Sequence, residues 1–263
     1  VLPDSNYFYH DKKLFLASLA FRDISYFHSS MILDFGTTED ISVGYRLEFT
    51  GGLAMEEFVD KPYYGIEFSG AKLWPDFGYV GMTVEYGGFY EKKRLQDGIF
   101  QTRLLYFSPL SRWAHYRLRQ LFFAGWTYGI NRLSGQAINL DNSIRGIVGG
   151  QVLGTNRLRL NLESVAFAPW NLLGFRFALY AFGDFGFISR SLDLLSSRNI
   201  YGAVGIGCRI RNESLVLRTV QIRIGYFPRL PAGQSLIDLD ISTSDPSLRL
   251  PIDQVSPSVI GFN

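Results

Sequence analysis

Few side chains in this sequence have the types and spacing that a chemical step requires. His10, His28 and His115 are scattered, and the single cysteine, Cys208, has no histidine near it in sequence. His115 with Ser108 or Ser111 is the one local pairing that resembles a nucleophile and its base, and no Gly-x-Ser-x-Gly elbow accompanies it. The run Gly202-Ala203-Val204-Gly205-Ile206-Gly207 has the glycine spacing of a nucleotide loop, but no helix follows it. Glycines in a strand more often let a neighbour pack close. Asp34 with Thr38-Glu39-Asp40 offers oxygens that read as a polar turn, since calcium needs several converging ligands. Asn212-Glu213-Ser214 matches the spacing of a glycosylation acceptor. The expectation is a protein that is not an enzyme and has neither cofactor nor metal.

What stands out instead is charge carried on one face of strand-like segments. From Arg157 to Phe167, Leu158, Leu160, Leu162 and Ala166 take the even positions, while Arg157, Arg159, Asn161 and Glu163 take the odd ones. Successive side chains of a strand point to opposite faces, so this is a strand with an apolar side and an ionic side. Leu173 to Phe187 repeats the pattern, with Phe175, Phe177, Leu179 and Ala181 opposite Arg176 and Asp184. Val43, Tyr45, Leu47 and Phe49 oppose Ser42, Gly44, Arg46 and Glu48, and Val204, Ile206, Cys208 and Ile210 oppose Gly205, Gly207, Arg209 and Arg211. Burying these arginines unpaired in a soluble core costs several kcal/mol each, which weighs against a soluble β-sandwich. Apolar side chains outward and ionic ones inward is the arrangement of a wall between lipid and a polar lumen.

The elements that hold these residues are candidate strands at 13–21, 26–35, 41–50, 64–74, 78–90, 98–107, 113–128, 157–167, 173–187, 200–211, 217–227 and 257–262. That is about twelve strands, the last one weak, with no convincing amphipathic helix. Links at 36–40, 75–77, 108–112, 168–171 and 212–214 read as tight, whereas 51–62, 131–156, 189–199 and 228–256 read as long. Short and long links taking turns fit up-and-down strands that leave a membrane on alternate sides. Aromatic pairs at strand ends, among them Phe8-Tyr9, Tyr63-Tyr64, Phe89-Tyr90, Tyr106-Phe107 and Tyr226-Phe227, suit a headgroup boundary.

Composition is compatible with this reading. The chain has 263 residues, 47% hydrophobic and 16% aromatic, with a formal charge of +2 and no basic block, so no nucleic-acid footprint appears. One cysteine excludes an internal disulfide framework. No run of about 18 apolar residues offers a helical membrane span. The start Val1-Leu2-Pro3 has neither initiator Met nor leader, as expected of a processed or trimmed chain.

The order Ser143-Ile144-Arg145-Gly146-Ile147, then Asn161-Leu162-Glu163, then Phe182-Gly183-Asp184-Phe185-Gly186, then 202–211 and 222–227, resembles the C-terminal barrel of the BamA-like outer-membrane family, also called the bacterial surface antigen family. The resemblance covers about the last half of the chain through these motifs and the first half through strand pattern. It implies a transmembrane antiparallel up-and-down β-barrel in the outer membrane of a Gram-negative bacterium. Residues 1–263 would form one domain, with no periplasmic POTRA-type domain, contributing about twelve strands either toward the sixteen of family barrels or to a smaller variant that lacks four of them. Two positions depart from the family: Ile147 stands where an aromatic residue is usual, and Phe262 is penultimate to Asn263.

The function implied is insertion, assembly or translocation of outer-membrane or surface proteins without chemical catalysis. Partners would be outer-membrane lipids, client outer-membrane or surface proteins and other subunits of an assembly complex, with no nucleic acid. The rival reading is a passive pore or anchoring barrel that keeps the fold without the activity. The resemblance also implies a lumenal latch, in which Arg145 meets Glu163 or Asp184, Asp184 being favoured, and Gly146 lets the loop pass close to the wall. Alternation independently turns both carboxylates inward.

Overall fold

Alternating side chains, β-branched and aromatic residues and tight turns build one sheet out of nearly the whole chain. The computed structural model describes residues 11–31, 38–133, 135–140, 143–147, 152–190, 199–212, 219–229, 235–243 and 258–262. Its strands are β1 Lys12–Ser30, β2 Thr38–Glu56, β3 Asp60–Trp74, β4 Gly78–Glu91, β5 Arg94–Phe107, β6 Ser111–Trp113, β7 Tyr116–Ile130, β8 Ile138–Asn139 and β9 Leu153–Gly154. Then come β10 Asn156–Leu172, β11 Phe175–Ser189, β12 Ile200–Asn212, β13 Val220–Arg229 and β14 Ile237–Thr243. The fold is all-β and antiparallel up-and-down: the sheet runs β1-β2-β3-β4-β5-β7-β10-β11-β12-β13-β14, with β6 beside β7, and β8 and β9 form a separate ribbon. Among the described residues β1 and β14 do not pair, so each leaves a free edge.

The sheet is strongly curled. Arg119 of β7 donates to the carbonyl of Ser30 on β1 at 3.4 Å, although four strands lie between them along the sheet. The two faces differ as the alternation requires. On the convex side Phe15, Phe49, Leu162, Ile206, Ile224 and Leu239 are all exposed. On the concave side Arg46, Glu48, Glu85, Arg157 and Asp184 are buried.

The concave face also holds apolar matter that parity alone does not reveal. Tyr79 stacks on Phe107 at 4.6 Å and donates to the carbonyl of Ser42, inside a cluster with Ile41, Leu121, Phe167 and Tyr180. These residues lie toward the end where the 75–77 and 173–174 turns sit, so the curled sheet is stoppered there. The strand-end aromatic pairs split between the faces: Tyr64, Tyr90 and Tyr226 are exposed, whereas Tyr63, Phe89, Phe107 and Phe227 are buried.

Several sequence expectations need correction. The candidates at 13–21 and 26–35 join, as far as Ser30, into one strand paired with β2 without interruption from Lys12 opposite Glu56 to Ser30 opposite Thr38. No glycine or proline interrupts that run, and Arg22-Asp23 sits within the ladder. The link read as long at 51–62 is mostly strand, because β2 continues to Glu56 and β3 begins at Asp60. Residues 228–256 contain β14, whose Ile237-Asp238-Leu239-Asp240-Ile241 alternates cleanly beside β13. Residues 258–262 are not a closing strand. The tight link read at 168–171 lies inside β10, and the turn is instead Leu173-Gly174, between the longer links after β7 and β11; the β12–β13 and β13–β14 links are of equal length, so the expected alternation is not kept beyond β12. That turn places Leu173 and Gly174 at φ 53° and 84°, the left-handed pair a two-residue hairpin demands, and Asn171 accepts from the Gly174 amide at 3.0 Å. Phe8, Tyr9, His10, Asp34, Glu213, Ser214 and Pro257 lie outside the described residues.

Candidate functional site

Three strands and one loop converge on a half-buried guanidinium. β10 and β11 pair with Asn161 opposite Asp184 and Glu163 opposite Phe182, so the two carboxylates sit at different heights on the concave face. Arg145, on a turn closed by the Ile147 amide donating to Ile144, spans that difference. Its Nε and Nη2 donate to Asp184 Oδ2 and Oδ1, both at 2.9 Å, and its Nη1 donates to Glu163 Oε2 at 2.7 Å. The Arg145 backbone amide adds a bond to Asp184 Oδ2 at 3.0 Å. Arg145 thus meets both acids, with the fork on Asp184. Such paired donors fit a carboxylate in direction as well as charge.

The loop backbone is fixed by packing as well. Gly146 has φ +86°, and a Cβ there would stand 2.3 Å from the Phe227 ring, so only glycine fits on both counts. Leu140, Ile144 and Ile147 are buried, and Asn161 holds the loop through Ser143 O at 2.9 Å while also donating to Asp184 Oδ1 at 3.0 Å. Ile147 therefore serves this loop as a packed aliphatic anchor.

A second arginine completes the cluster, and no motif announces it. Arg209 of β12 donates to Glu163 Oε1 at 2.6 Å and to Gln221 at 3.1 Å. Glu163 is thereby shared between two guanidinia. Both cations lie over aromatic rings, Arg145 4.3 Å from Phe182 and Arg209 4.5 Å from Tyr180. The rings find room because Gly205 and Gly207 on β12 lie beside them: a Cβ on either would stand within 2.6 Å of ring carbons. The glycine run that mimics a nucleotide loop thus serves as a recess for two aromatic rings. The one signal in sequence was the parity that set Arg209 on the polar face.

Electrostatics favour the charged state of this loop. Burial pulls the Arg145 guanidinium pKa down, but Asp184, then Glu163, outweigh it and hold it above the ordinary value. Asp184 has a side chain with 0% exposure and Arg145 one of 21%, so the pair is sheltered from salt.

Beyond the latch lies a cavity of about 480 Å³ with charges of both signs. Strand register lines up Glu48, Glu67 and Glu85 on β2, β3 and β4, continuing to Gln101, Thr127 and Arg157 on β5, β7 and β10. The neighbouring row brings Arg103, Gly125 and Arg159 together. Arg46 pairs with Glu48 and Glu67, Arg103 with Glu85 at 2.7 Å, and Arg159 lies 4.2 Å from the Phe123 ring. Carboxylates of β2, β3 and β4, with Arg46 among them, and arginines of β5 and β10 thus line one cavity.

The other sequence candidates do not assemble. Ser108 and Ser111 direct their hydroxyls to the carbonyls of Pro109 and Leu118, while His115 sits in the β6–β7 turn. His28 pairs with Asp40 at 2.5 Å on the exposed end of β1. Cys208 is a partly buried free thiol. Among the described residues no three His, Cys, Asp or Glu side chains gather as a metal requires. Among the same residues no helix is long and apolar enough to cross a membrane, which has no bearing on crossing by strands. No family model matches the sequence, and no curated protein is significantly similar to it.

Proposed function

We propose that this chain is an outer-membrane β-barrel wall of BamA-like type that takes part in inserting, assembling or translocating outer-membrane or surface proteins. The observation that carries the reading is the inverted wall: apolar side chains cover the convex face while arginines and carboxylates pair on the concave one. Water is the natural neighbour of the first only at a large cost, since exposed apolar area is unfavourable at about 25 cal/mol per Å². Lipid removes that cost, and the hydrogen-bonded ladders satisfy the backbone within it. The Arg145 loop holds the second half of the sheet in a fixed shape, and the edges of β1 and β14, unpaired among the described residues, are templates for one further strand. A client strand adding at such an edge needs no catalytic residue. Partners on this reading are outer-membrane lipids and the client chain, in the outer membrane of a Gram-negative bacterium.

A passive pore or anchoring barrel is the second reading, favoured by the two-signed cavity, which is built as an ion-lined space. Vesicles with and without the purified protein, offered the same urea-unfolded client barrel, separate the two. The assembly reading expects faster client folding with the protein present. Equal rates, with ion conduction through the protein, would reject assembly in favour of the pore.

A further inference from the structure

A row holding three glycines, with Ile99 between two of them, crosses the concave wall from strand to strand. Register places Gly65 of β3 opposite Gly87 of β4, Gly87 opposite Ile99 of β5, and Ile99 opposite Gly129 of β7. Glycine weakens a strand relative to residues with side chains, by roughly 0.5–1 kcal/mol against alanine, so these three, on either side of the Ile99 side chain, leave a recessed trough at a cost in local stability. That trough is filled. The Ile260 amide donates to Tyr63 Oη at 3.0 Å, and Val259 packs on the cluster of Ala54, Tyr63 and Phe89. A Cβ on Gly87 would stand 3.0 Å from the Ile260 methyl, and one on Gly129 would stand 2.8 Å from the Phe262 ring. Arg132 closes the slot from the other side, its guanidinium 4.1 Å from the same ring. Ser258 to Gly261 also line the two-signed cavity.

We propose that this trough is a peptide-binding seat for an extended apolar segment with an aromatic residue at its end, and that residues 258–262 of this chain are its resident occupant and roof the cavity. The chemistry is specific at three points: Tyr63 Oη accepts one backbone amide, Gly87 receives an aliphatic side chain, and Gly129 with Arg132 clasps a ring by close packing and cation–π attraction. Aliphatic and aromatic side chains two residues apart fit an extended peptide. The occupant is tethered, so its effective concentration is high and the seat stays filled without strong intrinsic affinity. The seat rests on the geometry of the curled wall and not on the assembly reading.

Full-length protein carrying Cys208→Ser and Val259→Cys, folded in detergent micelles, tests it by the rate of maleimide labelling. The seated cysteine should react slowly compared with the urea-unfolded chain. Phe262→Ala, which leaves the wall untouched, should raise the rate about tenfold, the equivalent of one lost aromatic contact. Gly129→Leu, which fills the slot from the wall side, should do the same with strand content retained by circular dichroism. If Gly129→Leu does not fold, Phe262→Ala decides. Labelling as fast as in the unfolded chain, or a rate unchanged by Phe262→Ala, would overturn the seat.

Discussion

Replacing Arg145 by alanine isolates the interaction on which the loop depends. Asp184, with no side-chain exposure, loses its two guanidinium donors and keeps only the Arg145 amide and Asn161. Glu163 keeps Arg209. The dominant loss is therefore at Asp184, where a buried carboxylate stripped of its cation costs about 3–5 kcal/mol. Asp184→Ala leaves Arg145 with Glu163 and the Phe182 ring, a smaller loss of about 2–3 kcal/mol. The double variant has no unpaired charge at this pair, so it should be about 2 kcal/mol more stable than the sum of the singles predicts. For a chain of this size each kcal/mol moves the midpoint by about 2–4 °C, so Arg145→Ala should lower it by roughly 6–20 °C. Thermal unfolding in one detergent, followed by tryptophan fluorescence for wild type, both singles and the double, gives the cycle. Additivity within about 0.5 kcal/mol would mean that the paired geometry contributes nothing and that the loop is held by Leu140, Ile144 and Ile147 alone.

Gly146→Ala should release the loop, because the new Cβ meets the Phe227 ring and the residue must keep a positive φ; trypsin cleavage after Arg145 should become fast, and Phe227→Ala should restore part of the protection. Glu163→Gln should cost about 2 kcal/mol in the same unfolding assay, since it neutralises the carboxylate shared by Arg145 and Arg209. Ile206→Arg, on the exposed convex face, should impair folding into lipid vesicles by about 2–4 kcal/mol while changing stability little in a short-chain detergent; equal effects in both would remove lipid from the explanation.

Much of the wall was legible because a strand's parity is rigid. Arg157, Arg159, Asn161 and Glu163 could not share a face with Leu158, Leu160 and Leu162, and the concave and convex sides divide along that line in β10. Parity assigns a face, however, and not what fills the space beyond it. Tyr180 and Phe182 were readable as inward, yet their seating under Arg209 and Arg145 depends on Gly205 and Gly207 one strand away. Arg209 reaches Glu163 across β11, a connection between residues distant in sequence that no local window carries. β14 had a clear alternating signature in Ile237 to Ile241 but is short and set among proline, glycine and serine, so the segment read as a link. β1 failed the opposite way, since 22–25 were left between two candidate strands although nothing there stops a ladder. For 258–262, alternating apolar residues fit a strand and an extended peptide equally, and only the glycine row opposite tells them apart.

Lipid contact along the convex wall is the most direct test of the whole reading. Spin labels placed one at a time at Leu162, Ile206 and Ile224 on the convex face, and at Thr127 and Gln221 on the concave face, report collisions with oxygen dissolved in lipid and with a water-soluble nickel complex. In vesicles the convex sites should be oxygen-accessible and shielded from nickel, and the concave sites should show no lipid contact. Nickel-accessible convex sites, in a protein that remains monomeric without detergent, would contradict it.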